Sequence, residues 1–306
     1  MHSLSVIEPI SAALRRTRRV LFEPFLLSKW LRLGFCAFLM GSLQSVGFGG
    51  GSNNSDFSSS SGVGTDRFED AIAWIQDHLL PFLAGATLLL VLIVGIGLLV
   101  TWLSSRGQFM LLDGVVRNRG AIKTPWHEFR REANSLFRFR VGFGILSLLV
   151  LLLILAVASL IGMAAIGKAL SILSLVVLAL LALLLLTAWI VVVGGVSLLL
   201  VDFVVPLMYL HRIPVLPAWR HLTTSLWRQH RGSLALYVLA RLLLHSAVIT
   251  LAGLATLLTC FLPILPYLGS VILLPFTVFQ LSYPLAFLQQ LGPDYTFFPT
   301  ESPAAT

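Results

Sequence analysis

Five apolar runs in this chain are each long enough to cross a bilayer, and that property constrains its fold more than any other. A helix crossing the hydrocarbon core needs about 20 apolar residues, since each advances about 1.5 Å across roughly 30 Å. Leu79–Leu103, Val141–Ile166, Leu170–Leu210, Leu234–Leu258 and Leu268–Leu288 meet that length, and Leu31–Phe48 is a shorter sixth. The runs are apolar on every face and lack the alternation of a transmembrane β-strand. Backbone groups in lipid must pair within their own segment, so the chain is expected to be an all-α integral membrane protein. The expected architecture is a bundle of about six transmembrane helices with interfacial amphipathic helices.

The composition agrees with this. Of 306 residues, 57% are apolar and only 11% charged, less than half the charge of an ordinary soluble domain. A soluble enzyme, a disordered chain and a disulfide scaffold are excluded. Cys36 and Cys260 lie in or beside apolar runs and form no disulfide framework or metal quartet.

The formal charge of +8 is unevenly distributed. Arg15, Arg16, Arg18, Arg19, Lys29 and Arg32 precede or enter the first span. Arg106, Arg117, Arg119, Lys123, Arg130, Arg131, Arg138 and Arg140 lie between the second and third spans. Arg212, Arg220, Arg228 and Arg231 precede the fifth. Residues 49–78 carry Arg67 against Asp56, Asp66, Glu69, Asp70 and Asp77. This alternation puts both termini in the cytoplasm and the chain in the cytoplasmic membrane as a multi-pass protein. No small-residue cleavage signature follows the basic N-terminal stretch, so the first span is expected to be retained.

Within the single membrane domain 1–306, residues 1–30 form a cytoplasmic amphipathic segment and 49–65 a flexible external Gly/Ser loop. Asp66 and Glu69 make a capping box for the next helix. Leu170–Leu210 is too long for one crossing. We expect one span at 171–193, then a bend at Gly194-Gly195 and an interfacial segment up to Pro206. The last span, 268–288, is followed by a cytoplasmic tail, 289–306.

A repeat organises the middle of the chain. LLDGVV at 111–116 is echoed by LVDFVV at 200–205, so Asp113 matches Asp202 at a separation of 89 residues. Each is followed by a basic connection, a proline near a tryptophan (Pro125-Trp126, Pro217-Ala218-Trp219), a Ser-Leu-aromatic triplet and a new span. Units 79–166 and 170–259 would then be two parallel pseudo-repeats, an arrangement also found in transporters.

From Pro125, with Thr124 as the expected cap, Trp126, Phe129, Ala133, Leu136 and Phe137 form an apolar stripe at helical spacing. The opposite face carries His127, Glu128, Arg130, Arg131, Asn134 and Arg138. Phe22, Leu26, Trp30 and Leu33 give the N-terminal segment a similar stripe. Such helices lie in the interface plane with arginines near lipid phosphates. Arg15, Arg16, Arg18, Arg19, Arg130, Arg131, Arg138, Arg220 and Arg228 are the candidate phosphate contacts. Setting topology and anchoring the bundle would use the same helices equally well.

No catalytic motif is present: the seven histidines form no HExxH, and no Walker A or GxSxG sequence occurs. No cofactor or nucleic acid is implied. Ionisable groups within the spans are the remaining functional candidates: Asp202, Arg241 and His245, the last two being four apart on one helical face. Asp202 and Arg241 could pair and line a polar cavity. They could also form a structural ion pair, or each reach the interface separately. The structural readings are favoured, because the repeat partner Asp113 lies in a cytoplasmic-side segment. Pro263, Pro266, Pro275 and Pro284 add kink sites around the last span.

Several stretches also resemble the multi-pass membrane domain attached to some glycerophosphodiester phosphodiesterases. They are RRVLFEPFLLSKWLRLGF (18–35), SSRGQFMLLDGVVRNRG (104–120), TPWHEFRREANSLFRFR (124–140), VDFVVPLMYLHRIPVLPAWR (201–220) and FLQQLGPDY (287–295). The resemblance implies a helical membrane bundle. It carries over no catalytic residue, since the phosphodiesterase domain and its motifs are missing. The expected role is therefore a non-enzymatic membrane or envelope support or scaffold that contacts anionic lipids and a protein partner or second copy. The alternative is a transporter or channel with a polar pathway between the repeats.

Overall fold

The computed structural model describes residues 7–41, 78–166, 172–226, 231–259 and 265–298. Every regular element among them is helical: α1 (Glu8–Phe22), α2 (Leu27–Gly41), α3 (Leu79–Val116), α4 (Lys123–Glu128), α5 (Arg130–Ile166), α6 (Ile172–Leu199), α7 (Val205–His211), α8 (Val215–His221), α9 (Arg231–Leu258), α10 (Pro266–Ile272) and α11 (Leu274–Gln289). There are also short π segments at Leu200–Val204 and Leu222–Leu226 and a 3-10 turn at Pro293–Tyr295. Among the described residues, four stretches are long and apolar enough to cross a membrane: Leu79–Val116, Arg130–Leu160, Val176–His211 and Gly232–Leu258. By that measure the chain is a membrane protein.

The molecule has two zones, which α3 shows most clearly. From Leu79 to Leu99 nearly every residue is exposed, whereas Ser104 to Val115 is buried on all sides. The change falls where the apolar run Leu79–Leu103 ends. The first half offers leucine and valine to lipid. The second is sheathed by α2 and neighbouring elements and includes the buried polar residues Ser104, Ser105, Arg106, Gln108 and Asp113. Close approach of α2 depends on two glycines seven residues apart on one face of α3. A Cβ at Gly107 would stand 2.7 Å from the Leu39 Cβ and 2.9 Å from the Met40 nitrogen. One at Gly114 would stand 2.5 Å from Leu33 Cδ2.

Five expectations are corrected. The chain does not bend at Gly194-Gly195: α6 runs through both, because a helix among lipids keeps its backbone paired despite the weak propensity of glycine. The irregularity comes at Leu200–Val204, where the amide of Val205 bonds the carbonyl of Leu200 five residues back. Pro206 explains it, since proline has no N–H and crowds the carbonyl four residues earlier, and a π-bulge absorbs both defects.

The amphipathic stretch 124–138 is not one separate interfacial helix. α4 stops at Phe129, and α5 begins at Arg130 and continues without a break into the apolar run. The expected stripe is nevertheless inward-facing, with Phe129, Ala133 and Leu136 buried. Thr124 is not the cap: Ile122 holds that position, with no side-chain bond.

The N-terminal stripe is likewise divided between α1 and α2. Phe22 and Leu26 remain exposed, while Leu33 is buried. α1 instead packs against α11 through Pro9, Ala13, Thr17, Val20 and Leu21.

The last expected span, 268–288, breaks at Leu273 into α10 and α11, and Pro275 takes an opening position of α11, where its missing N–H costs nothing. Leu281–Leu288 of α11 is entirely buried in the packed zone. The first expected span is represented by the 15 residues of α2. The 49–65 loop, the Asp66–Glu69 cap, Arg228 and residues 299–306 lie outside the described residues.

Candidate functional site

The strongest intramembrane candidate is built by the π segment and α9. The π-bulge turns Asp202 inward, where it is 2% exposed. Arg241 donates to it twice, Nε to Oδ2 at 2.8 Å and Nη2 to Oδ1 at 3.2 Å. The Tyr237 hydroxyl, one helical turn earlier on α9, donates to Oδ2 at 2.9 Å. Aromatic rings close the site: Tyr237 stacks on Tyr283 of α11 at 5.5 Å and touches Phe203 at 4.8 Å and Phe287 at 4.6 Å. His245 is not part of this pair; it is exposed, with Nδ1 3.2 Å from the Gln280 amide nitrogen. Chemically the arrangement is a carboxylate saturated by three donors. Burial without those donors would be costly.

Asp113 anchors a second cluster and is fully buried. Arg119 reaches Oδ2 at 3.0 Å through Nε, Arg117 lies 3.2 Å from Oδ1, and the Tyr209 hydroxyl donates to Oδ1 at 3.1 Å. Each of the two aspartates therefore holds arginine and tyrosine. Arg117 also donates to Glu128 at 3.0 Å, and Arg212 joins the same carboxylate while its guanidinium sits 3.9 Å from the Phe129 ring centre. Partial burial pushes the Glu128 carboxyl upward, but the bonds from Arg117 and Arg212 outweigh it and hold the group below its ordinary value of 4.5. Burial likewise opposes the charge of Arg117, and Glu128 more than restores it.

The basic residues divide into two groups. Some turn inward and neutralise helix ends. Arg16 donates to the carbonyls of Val115 and Val116 at the C-terminus of α3, and Lys29 to that of Val20 near the end of α1 and to Asn118 Oδ1. Burial, aided by Arg19, lowers the pKa of Arg16. Arg106, buried between the Trp102 and Trp126 rings at 4.6 and 4.7 Å, donates to the Trp126 carbonyl. Arg140 reaches Gln108, Ser104 and Ser105.

The others stay outside: Arg15, Arg18, Arg19, Arg130, Arg131, Arg138 and Arg220 are exposed. Arg18 pairs with Glu23 at 2.8 Å and Arg15 bonds Ser11 at 3.3 Å. Of the candidate phosphate contacts, Arg16 is thus committed to backbone carbonyls.

Sequence reasoning offered an Asp202–Arg241 pair as one of three readings and grouped His245 with it, and it missed both tyrosines, Arg119 and Glu128 as members of the two clusters. Tyr237 lies four residues before Arg241, a spacing that could have flagged it. Tyr209 meets Asp113 from 96 residues away, which no local pattern encodes. Among the described residues, no three histidine, cysteine or acidic side chains gather in a metal-binding set. A cavity of about 420 Å³ between α5 and α6 is lined by Val150, Leu153, Ile154, Val157, Ala182, Leu185, Ala188, Trp189 and Val192, all apolar.

A family model described as a family of unknown function (DUF7544) matches residues 4–292. No link to the membrane domain of glycerophosphodiester phosphodiesterases emerges. No curated protein and no solved structure matches the chain.

Proposed function

The chain belongs to DUF7544, and from that premise we propose that it is a non-enzymatic membrane scaffold whose basic cytoplasmic side holds anionic lipid. The observation that carries this reading is the saturation of Asp202 by Arg241 and Tyr237 beneath a lid of aromatic rings. A transport or proton site needs a carboxylate able to exchange partners. This one is used as a tie between the π segment and α9, with its charge cancelled in place. The exposed arginines of α1, α5 and α8 lie on the loops and helix ends that the charge pattern assigns to the cytoplasm, where anionic lipid collects.

The finer topology belongs to the same proposal. It has six spans, with α2 and the α10–α11 pair as first and last, both termini cytoplasmic, and residues 79–166 and 170–259 as parallel repeats. The matching surroundings of Asp113 and Asp202 support the repeat. Kinship with the phosphodiesterase-linked membrane domain is part of this reading and rests on the quoted motifs alone. A protein partner or second copy would complete the scaffold.

Two measurements test the proposal. Thermal unfolding in nanodiscs should occur at higher temperature with phosphatidylglycerol than with phosphatidylcholine alone, and Arg15, Arg18, Arg130 and Arg131 changed together to Gln should narrow the gap. Equal stability in both lipids would overturn lipid binding. For topology, Gln229→Cys should react with a membrane-impermeant thiol reagent only after the membrane is opened; labelling of intact cells would sink the six-span arrangement.

A further inference from the structure

α5 and α8 run side by side with one constant offset. The Val215 amide donates to Ser135 Oγ at 3.1 Å, and the Trp219 ring lies 6.2 Å from Phe139. Each contact joins residues 80 apart, so the two helices run in the same direction and in register. Arg138 stands one residue before its contact residue and Arg220 one residue after. On two parallel helices facing each other, a step of minus 100° on one and plus 100° on the other points both side chains to the same side. Packed helix axes are about 8–10 Å apart, so these two guanidinium groups can converge on one small anion. Both are exposed, and neither has a carboxylate partner among the described residues.

An apolar track leads away from this pair along α5. Arg138, Gly142, Leu149, Leu153 and Val157 follow one another at intervals of four, seven, four and four, so each step turns by no more than about 40° and the track winds gradually around α5 toward α6. At Gly142 a Cβ would meet nothing within 4 Å, so the track is open there. Leu149 is 58% exposed, and Leu153 and Val157 line the cavity between α5 and α6, where Ala182 and Ala188 leave room opposite them. Val150, at the near end of that cavity, lies twelve residues along the helix from Arg138, or about 18 Å. Headgroup to mid-bilayer is about 20 Å. The cavity is therefore at the depth where acyl chains end.

Resting on the reading of a lipid-holding cytoplasmic side, we propose that this track is a defined site for one anionic phospholipid of the inner leaflet. Its phosphate sits between Arg138 and Arg220, and one acyl chain passes Gly142 and Leu149 and ends in the groove between α5 and α6. Charge complementarity selects the head, and a wholly apolar groove of this shape accepts the chain end.

The test uses the full chain in phosphatidylcholine bilayers containing spin-labelled phosphatidylglycerol or phosphatidylcholine, each labelled near the chain end. The unaltered protein should immobilise phosphatidylglycerol about ten-fold in preference. Arg138→Gln with Arg220→Gln, both at exposed positions, should cut that to under about two-fold with an unchanged helical circular-dichroism spectrum. Ala188→Phe, which fills the groove, should remove the extra immobilisation of phosphatidylglycerol and leave both lipids at the level set by the rest of the apolar surface. No preference in the unaltered protein would overturn both this site and the general lipid reading. A preference that survives the double change but falls when Arg15, Arg18, Arg130 and Arg131 become Gln would overturn this site alone. Chain immobilisation unaffected by Ala188→Phe would overturn the chain path.

Discussion

Asp113 and Asp202 sit in similar hexapeptides, LLDGVV and LVDFVV, and are solvated by the same two side-chain types, yet they are built differently. Asp113 takes both its arginines from its own neighbourhood, four and six residues on, and those arginines are 40% and 35% exposed. Asp202 takes its arginine from another helix, 39 residues on, and that side chain is 11% exposed. At a helix end beside water, a turn can supply cations cheaply, and several can share the carboxylate. Within the packed zone the cation must come from a neighbouring helix in a fixed bidentate geometry. The first cluster is redundant; the second is not.

The largest test of that contrast is removal of one cation from each. Arg241→Leu should destabilise the protein by about 3–5 kcal/mol, because it strands a buried carboxylate. Arg119→Leu should cost only about 1–2 kcal/mol, since Arg117 remains on Asp113. Unfolding in mixed micelles with rising dodecyl sulfate measures both, and equal losses would erase the difference between the sites. Next, Asp202→Asn combined with Arg241→Leu should cost less than the sum of the single changes by at least about 1 kcal/mol; strict additivity would mean the two do not act as a pair. Tyr237→Phe should cost about 1–2 kcal/mol and Tyr209→Phe about 1 or less, and the reverse order would show that redundancy does not protect Asp113.

The smallest effect is in acid. The Glu128 carboxyl is held below its ordinary 4.5 in the folded chain, so its contribution is complete above that value and fades as pH falls through the lowered one. Glu128→Gln should therefore cost a small amount of stability at pH 7, and the difference from the unaltered chain should shrink as pH falls below about 4.5, where both carry a neutral side chain. An unchanged acid limb would mean that Glu128 does not link Arg117 and Arg212 energetically.

Much of this was legible in the sequence, for physical reasons that can be named. Lipid demands continuous apolar helices, so the boundary at Leu103–Ser104 is marked by the end of an apolar run. Asp202 and Arg241 stood out because charge within a span is expensive. Breaks depend on finer balances. Phe129 interrupts a regular amphipathic pattern because its ring is drawn between Phe109 and Tyr209, at 5.8 and 4.8 Å. The helix through Gly194-Gly195 persists because unpaired backbone costs more than poor propensity. The inward turn of Arg16, Lys29 and Arg106 was invisible, because counting positive charges by loop does not distinguish a cation facing lipid from one that terminates a helix.

The 38 residues of α3 form one helix about 57 Å long, with no proline after its first turn. One half is immersed in a fluid, and the other is clamped by α2 at Gly107 and Gly114. One unbroken backbone ladder thus joins the exposed apolar half to the charged end, where Asp113, three residues before the last, meets Arg117, Arg119 and Tyr209.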